Sequence, residues 1–474
     1  MTGPAVEEFK IQILDNGTVR GEWIHLGQSR TSTEGSVDLD DLRRRTIDVL
    51  TDLLRRNQLT SEEELKLLGD HLFVTLLGRE TRRYSEGGRG PGALLRDAVR
   101  EVPESGEDEA RRRLLRVRLE IRGTGNAHLA SWPWEYLHIP VDPEDYKSDI
   151  FLGESAELML TRQMPLAGGA RPIQVQPPLR VLFVVLSPRS EALPDIEYGS
   201  VLAELVKLRD GDGGARIDLR VLAQHHMPDG TEIPDEDGDA ERDERATYES
   251  FRMEVERWAP HVIHVISRGR YLETSAGRSC GQLAFPSGSS EPLWISDSDL
   301  ANYLMSSPRL RLVFLQACET AETSSSPYPA ISGVAQSLAQ RNIPAVVAMH
   351  FQINSAVANK FARTFYQHLM RHTRIEVAMH EARQHIYFGS VVGENNRRDF
   401  GLPVLYLGDS SPLLGPQPQA ASASRRRPSR RQSAPPLTAG ATGVPRTSDL
   451  AAYQPSRPEL HETTERAGGE RNIA

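Results

Sequence analysis

From Leu179 onward, short unbroken apolar runs alternate with amphipathic stretches. That is the pattern of strands buried on both faces with helices packed over them. The runs Leu179–Leu186, Ile217–Leu222, Val262–Ser267, Leu310–Gln316, Ala345–Met349 and Val404–Leu407 predict six strands. The stretches Ile196–Leu208, Ala246–Ala259, Asp297–Met305, Ile331–Arg341 and Val357–Met370 predict helices between them, and Ile375–Tyr387 one more before the last strand. Val357, Phe361, Phe365 and Leu369 recur every fourth residue, a buried helical stripe. Alternation of strand and helix predicts an α/β unit with a mostly parallel sheet over residues 179–410.

The first 165 residues follow another pattern and predict an α+β unit. Phe9–Leu14 and Val19–Ile24 flank Asn16-Gly17, which predicts a hairpin. Asp38–Leu54 and Ser61–Leu77 carry helical spacing, and Ser61 with Glu64 forms a capping box. Leu115–Ile121 predicts a strand. In LASWPWEYL (129–137) two indoles and a Tyr lie within five residues; they predict a packing plug rather than a ligand platform. Residues 166–178, rich in Gly and Pro, predict a linker.

Two segments fall outside this plan. Asp229–Arg245 is acidic, but Gly238 stands fourth from Asp235 rather than sixth, and position twelve is Ala246. It predicts a solvated insertion and not a calcium loop. Residues 411–474, rich in Pro, Ser, Ala and Gly, predict a disordered tail. From Pro412 the tail carries +4, nine Arg against five acids, and the remainder carries -13.

The net charge of -9 argues against a general nucleic-acid binder. No apolar run reaches the roughly 18 residues of a membrane span, and MTGPAVEEFK lacks a signal-peptide pattern, so a cytoplasmic setting is expected. Two cysteines, Cys280 and Cys318, cannot build a disulfide framework or a four-thiolate metal site. His368 and His372 have a zinc-like spacing without a third ligand, and neither a metal nor a cofactor is expected. Phosphate loops, nucleophile elbows and dinucleotide fingerprints are missing from the sequence; GTG at 123–125 does not continue as one. What remains is Cys318, at the carboxyl end of a strand predicted to be buried, where open α/β sheets hold their sites.

Eight pieces in order resemble the CHAT-domain family, which is related to caspases, separases and gingipains. They are LASWPWEYL, PLRVLFVVLSP, HVIHVISRGRY, LRLVFLQACETA, IPAVVAMHFQIN, FARTFYQHL, EVAMHEARQHI and DFGLPVLYL. The resemblance spans most of residues 110–408 and implies a caspase-like α/β sandwich with a six-stranded sheet. It implies a nucleophile at Cys318, from the family's N/Q/S-A-C-E motif, and an oxyanion hole from the amides of Gly269 and Cys318.

At the family's histidine this chain departs. Aligning HVISRGRY on H-x-x-G-H-G puts Ser267 on the first Gly, Arg268 on the catalytic His and Gly269 on the second Gly. A guanidinium there favours a thiolate but cannot shuttle a proton to a leaving amine. His264 lies four residues upstream, about 13 Å back along the strand, and is expected in the core. His350, where the family more often has Gln, ends the next strand and is the candidate surrogate base. Gln352 and Ser355 replace the family's Pro and Asp. For the substrate pocket, Gln316, Glu319, Asp297 and Asp299 are candidates by position.

Two readings stand side by side. One is a degenerate caspase-like domain that binds protein partners, a bacterial protein of signalling or defence. The other is a working cysteine endopeptidase that uses His350 or a partner to complete its site. Both imply a protein or peptide as substrate or partner.

Overall fold

The computed structural model describes residues 5–414 except 26, 79–89, 103–112, 123–126, 142–146, 164–171, 188–195, 212–215, 225, 227–228, 232–245, 274–278, 288–290, 320–329, 352, 394 and 409–411. The GTG triplet, most of the acidic insertion and the tail beyond 414 therefore lie outside the described residues.

The N-terminal hairpin forms as β1 (Ala5–Ile13) and β2 (Thr18–His25), in antiparallel register with Ile13 against Val19. Short strands β3 (Gln28–Thr31) and β4 (Gly35–Ser36) pair with β2. Helices α1 (Asp41–Arg55), α2 (Glu62–Leu77) and α3 (Pro91–Glu101) follow, and the Ser61–Glu64 capping box starts α2 as expected. Next come β5 (Arg113–Ile121), the short α4 (Ala127–Ala130), the paired β6 (His138–Ile139) and β7 (Ile150–Phe151), and β8 (Leu158–Gln163).

The six expected strands all form: β9 (Leu179–Val185), β10 (Ile217–Leu222), β11 (Val262–Glu273), β14 (Leu312–Glu319), β15 (Ala345–Met349) and β16 (Pro403–Leu407). Two more, β12 (Ser279–Phe285) and β13 (Leu293–Ser296), extend the far end of β11 as antiparallel neighbours. The sequence gives no apolar run for them. The helices are α5 (Gly199–Asp210), α6 (Tyr248–Trp258), α7 (Asp297–Met305), α8 (Ala330–Gln340), α9 (Ser355–His372) and α10 (Ile375–Val391).

The fold is α/β with a large, mostly parallel sheet, ordered β10-β9-β11-β14-β15-β16-β8-β5-β1-β2-β3. The six strands sit together at one side, but the sheet does not stop at six. Beyond β16 it continues through β8 into the strands of residues 5–121, giving fourteen strands among the described residues. One sheet face packs Phe183, Leu312, Phe314 and Val347 against α5, α9 and α10, and the stripe Val357, Phe361, Phe365, Leu369 is buried there. The other face packs Val184, Ile263, Val313 and Leu315 against Phe251 of α6, Leu304 of α7 and Leu338 of α8. Of the expected linker, Ile173 and Val175 are buried, and the Val175 amide donates to the Leu413 carbonyl at 2.8 Å. Leu413 and Leu414 are themselves buried, so Pro412–Leu414 belongs to the body, unlike the expectation that placed it in a disordered tail. Among the described residues no helix is long and apolar enough to cross a membrane.

Candidate active site

The chain leaves β9 first to β10 on one side and later to β11 on the other. In open parallel sheets such a reversal of direction opens a crevice at the carboxyl ends of the strands. Here it adjoins β11 and β14, which run parallel with Ser267 against Ala317, Arg268 against Cys318 and Gly269 against Glu319. Neighbouring strands lie about 4.8 Å apart. Arg268 and Cys318 are therefore direct lateral neighbours in the backbone. Arg268 is 6% exposed. Ser267 is buried, and its hydroxyl donates to the Ala284 carbonyl of β12 at 3.0 Å. The side chains of residues 317–319 lie outside the described residues.

Below this pair the interior is apolar with a few polar side chains set into it. His264 is fully buried, stacked on Phe314 with ring centroids 4.3 Å apart, and its Nδ1 meets the Tyr366 hydroxyl at 3.1 Å. Burial pushes its imidazole down to about 3. Gln316 is 2% exposed and donates from Nε2 to Asn359 Oδ1 at 2.6 Å. A buried amide engaged with α9 lies under the crevice rather than lining it. Nothing in the sequence marks Asn359, which sits beside the apolar stripe of its helix and not on it.

His350 directly follows β15, and its amide donates to the Leu402 carbonyl at 2.7 Å. It is 1% exposed, and Nε2 lies 3.0 Å from the Ser131 carbonyl, so that nitrogen carries the proton. Burial, with the charge of Arg162, pushes it down to about 3 against the opposing pull of Glu135 and the Ser131 carbonyl. The register of β14 with β15 pairs Leu315 with Ala348. β15 itself ends at Met349, one residue before His350, whose ring is held at the Ser131 carbonyl.

These histidines make folding pH-dependent. The unfolded imidazole takes up a proton below about 6.5, whereas folded His264 and His350 resist until about 3. Between those values the unfolded chain binds more protons. Stability is therefore complete above about pH 6.5 and falls toward pH 3, by about 1.4 kcal/mol per pH unit for each histidine. In urea titrations at pH 7 and pH 5, His350→Gln is expected to show a smaller loss than the parent. Equal losses would contradict the assignment.

Near His350 lies a buried ion cluster. Arg162 donates from Nε to Glu135 Oε1 at 3.0 Å, from Nη1 to the Ala130 carbonyl at 2.8 Å and from Nη2 to the Trp132 carbonyl at 2.9 Å. Arg383 approaches Glu135 to 3.8 Å and donates to the carbonyls of Leu160 and Pro403. Gln336 of α8 adds a bond to the Ala130 carbonyl at 3.3 Å. Trp132, Trp134 and Tyr136 are all buried, as a packing plug should be.

Of the pocket acids, Glu319 pairs with Gly269 in the register, and Asp297 and Asp299 lie in the first turn of α7. Asp297 opens α7 half-buried, and burial raises its carboxyl against hydrogen bonds from the amides of Ser298 and Gly281 and from Ser337. It faces Cys280 of β12, whose thiol is pushed up first by burial and then by Asp297. Asp299 accepts from the Ser296 hydroxyl at 2.6 Å within the helix cap. His368 and His372 stack with ring centroids 5.7 Å apart, and no cluster of three metal-type ligands occurs among the described residues.

The CHAT domain family matches residues 94–399. No curated protein matches the chain. Among solved structures it is similar to the Saccharomyces cerevisiae separase of the separase–securin complex, at 10% identity and a TM-score of 0.37, over 85% of this chain and 30% of that one. It is similar also to the Arg-specific cysteine proteinase gingipain R, at 11% identity and a TM-score of 0.35, over 67% of each chain. A third is the complex of Porphyromonas gingivalis RgpB pro- and mature domains, at 10% identity and a TM-score of 0.35, over 79% of this chain and 78% of that one.

Proposed function

The chain belongs to the CHAT-domain family, and from that premise we propose that it is a degenerate cysteine-peptidase homologue, with an activated thiol at Cys318 and little or no peptide turnover, that acts by engaging protein partners. One observation carries this reading: the register that sets Arg268 directly beside Cys318. A cation there favours the thiolate, the form that attacks carbonyls and other electrophiles. Collapse of a tetrahedral intermediate toward product also needs a proton for the departing amine. Arg holds its protons throughout the accessible pH range and does not deliver one. The amides of Gly269 and Cys318 remain suited to hold an oxyanion, so capture of a carbonyl without release is the chemistry left to the site.

The neutral, buried His350, bonded to Ser131, weighs against its being a surrogate base. Protein or peptide ligands suit a crevice built for carbonyl capture, and a role in signalling or defence in a bacterial cytoplasm is part of the same proposal.

Alkylation by iodoacetamide across pH tests the thiol. The wild-type rate is expected to rise with a midpoint below the roughly 8.5 of a free cysteine, and Arg268→Ala to return it upward. A wild-type midpoint at or above the free value would sink the activated-thiol reading.

A further inference from the structure

The sheet ends at β10: among the described residues it has β9 on one side and no strand on the other. Its inner side bonds in a fixed alternation. The His261 amide donates to the Arg180 carbonyl at 3.0 Å and the Leu186 amide to the Ile266 carbonyl at 2.8 Å, so even-numbered positions along β9 turn toward β11. Leu179, Val181 and Phe183 then turn toward β10, where the parallel register sets them opposite Ile217, Leu219 and Val221. In a parallel ladder the residue opposite such a position bonds on its other side. Ile217, Leu219 and Val221 therefore direct their amides and carbonyls outward, as an open edge.

The side chains of β10 alternate too. Ile217, Leu219 and Val221 join the core that holds Leu202 and Leu205 of α5. Asp218 and Arg220, both half-buried, take the opposite face. There Arg220 Nη1 donates to Glu254 Oε2 of α6 at 2.7 Å, and its guanidinium lies 5.3 Å from the Trp258 ring centroid. Charges on an edge strand usually resist pairing. Here the resistance depends on register.

Two copies of β10 can pair antiparallel about a twofold axis wherever their outward groups meet. With the axis at position 218, Asp218 opposes its own copy, and with the axis at 220, Arg220 does. Like charges directly opposite are destabilising. With the axis at Leu219, the outward pairs are 217 with 221, 219 with 219 and 221 with 217, each exchanging both backbone bonds. Asp218 of each copy then faces Arg220 of the other, with Cβ atoms about 4.5–5.5 Å apart. This register also overlaps nearly all of Ile217–Leu222.

We propose that β10 is a homodimer interface, in which two copies of this chain join antiparallel about Leu219 and the crossed Asp218–Arg220 pairs select the register. The twofold reverses strand direction, so the two crevices open at opposite ends of one continuous sheet. The inference is independent of the chemistry at Cys318.

The test is analytical ultracentrifugation of full-length wild type, Asp218→Arg and Arg220→Asp over a concentration series, with the two variants also mixed one to one. Wild type should associate to a dimer. Each variant alone should weaken the dimer at least about tenfold, because two opposite-charge pairs become like-charge pairs. The mixture should recover association, since an all-basic strand then meets an all-acidic one. Hydrogen exchange resolved to single amides needs no variant, so it decides even if Arg220→Asp misfolds for want of its bond to Glu254. In wild type the amides of 217, 219 and 221 should slow with rising concentration, while those of 218, 220 and 222, already bonded to β9, should not change. A wild type that stays monomeric throughout, a dimer that both variants keep, or a folded mixture that fails to associate would overturn the proposal. Slow odd-numbered amides in a monomer would give the edge to another extended segment and overturn it equally.

Discussion

Arg268→His is expected to turn this chain into a Cys318-dependent peptidase, raising peptide cleavage by about 10² to 10⁴-fold over wild type, the usual worth of a positioned general acid–base. The backbone already sets position 268 beside position 318, in the same parallel register as Ser267 with Ala317 and Gly269 with Glu319. Histidine has an ordinary pKa near neutrality, so it can take the thiol proton and return it to the leaving amine. Arginine can perform only the electrostatic half of that task. The substitution also shrinks a side chain that is 6% exposed and replaces a permanent cation with a titratable group. New protein N-termini would be counted by mass spectrometry after co-expression of wild type, Arg268→His and Arg268→His with Cys318→Ala. Cuts seen with the single variant and lost with the double one support an intact peptidase frame disabled at one position. Abundant Cys318-dependent cuts from wild type would remove the pseudoenzyme reading, and silence from Arg268→His would show that more than one part of the site has been lost.

Glu135→Leu should cost about 3–5 kcal/mol of stability, because it strands two buried cations. Glu135 is fully buried; desolvation disfavours its charge, but Arg162 and then Arg383 overcome it and hold the carboxyl below its usual range. The carboxylate is the acid paired with both guanidiniums, which also meet main-chain carbonyls and, for Arg162, the Tyr406 ring. The damage should fall at a seam. The β16–β8 contact has a single register pair, Tyr406 with Arg162, and it is there that the six strands of residues 179–407 join those of residues 5–163. Urea unfolding followed by tryptophan fluorescence gives the measure, since Trp132 and Trp134 stand in the affected segment. The double variant Glu135→Leu with Arg162→Met should recover part of the loss, as replacing both members of a buried pair usually does. A cost below about 1 kcal/mol for the single variant would show that the cluster is not what holds the seam.

Much of the architecture was visible in the order of residues. An unbroken apolar run such as LVFL or AVVAM states its burial on both faces directly, and the Ser61–Glu64 box marks a helix start without reference to anything distant. The family pieces aligned Arg268 and Cys318 with the catalytic pair of relatives, and the register of β11 with β14 puts these two positions side by side. By contrast, β8 was hidden because LMLTRQ carries Thr161 and Arg162 among its buried positions, and a buried charge in a strand makes sense only when Glu135, 27 residues earlier, is known to meet it. The hairpin of β12 and β13 was hidden because each pairs mainly through its backbone, with Gly, Ser and Gln among its residues.

What the sequence alone determined is therefore local or periodic: strand runs, helix stripes, caps, and the candidate residues for a site. Only the tertiary structure decided the rest. It joined both halves into one sheet, turned His350 toward the Ser131 carbonyl, drew Gln316 into the core with Asn359, and set Asp297 near Cys280. The reason is physical. A titratable or polar side chain takes its role from the groups that replace its water, and those groups come from segments tens to hundreds of residues away, which no local pattern records.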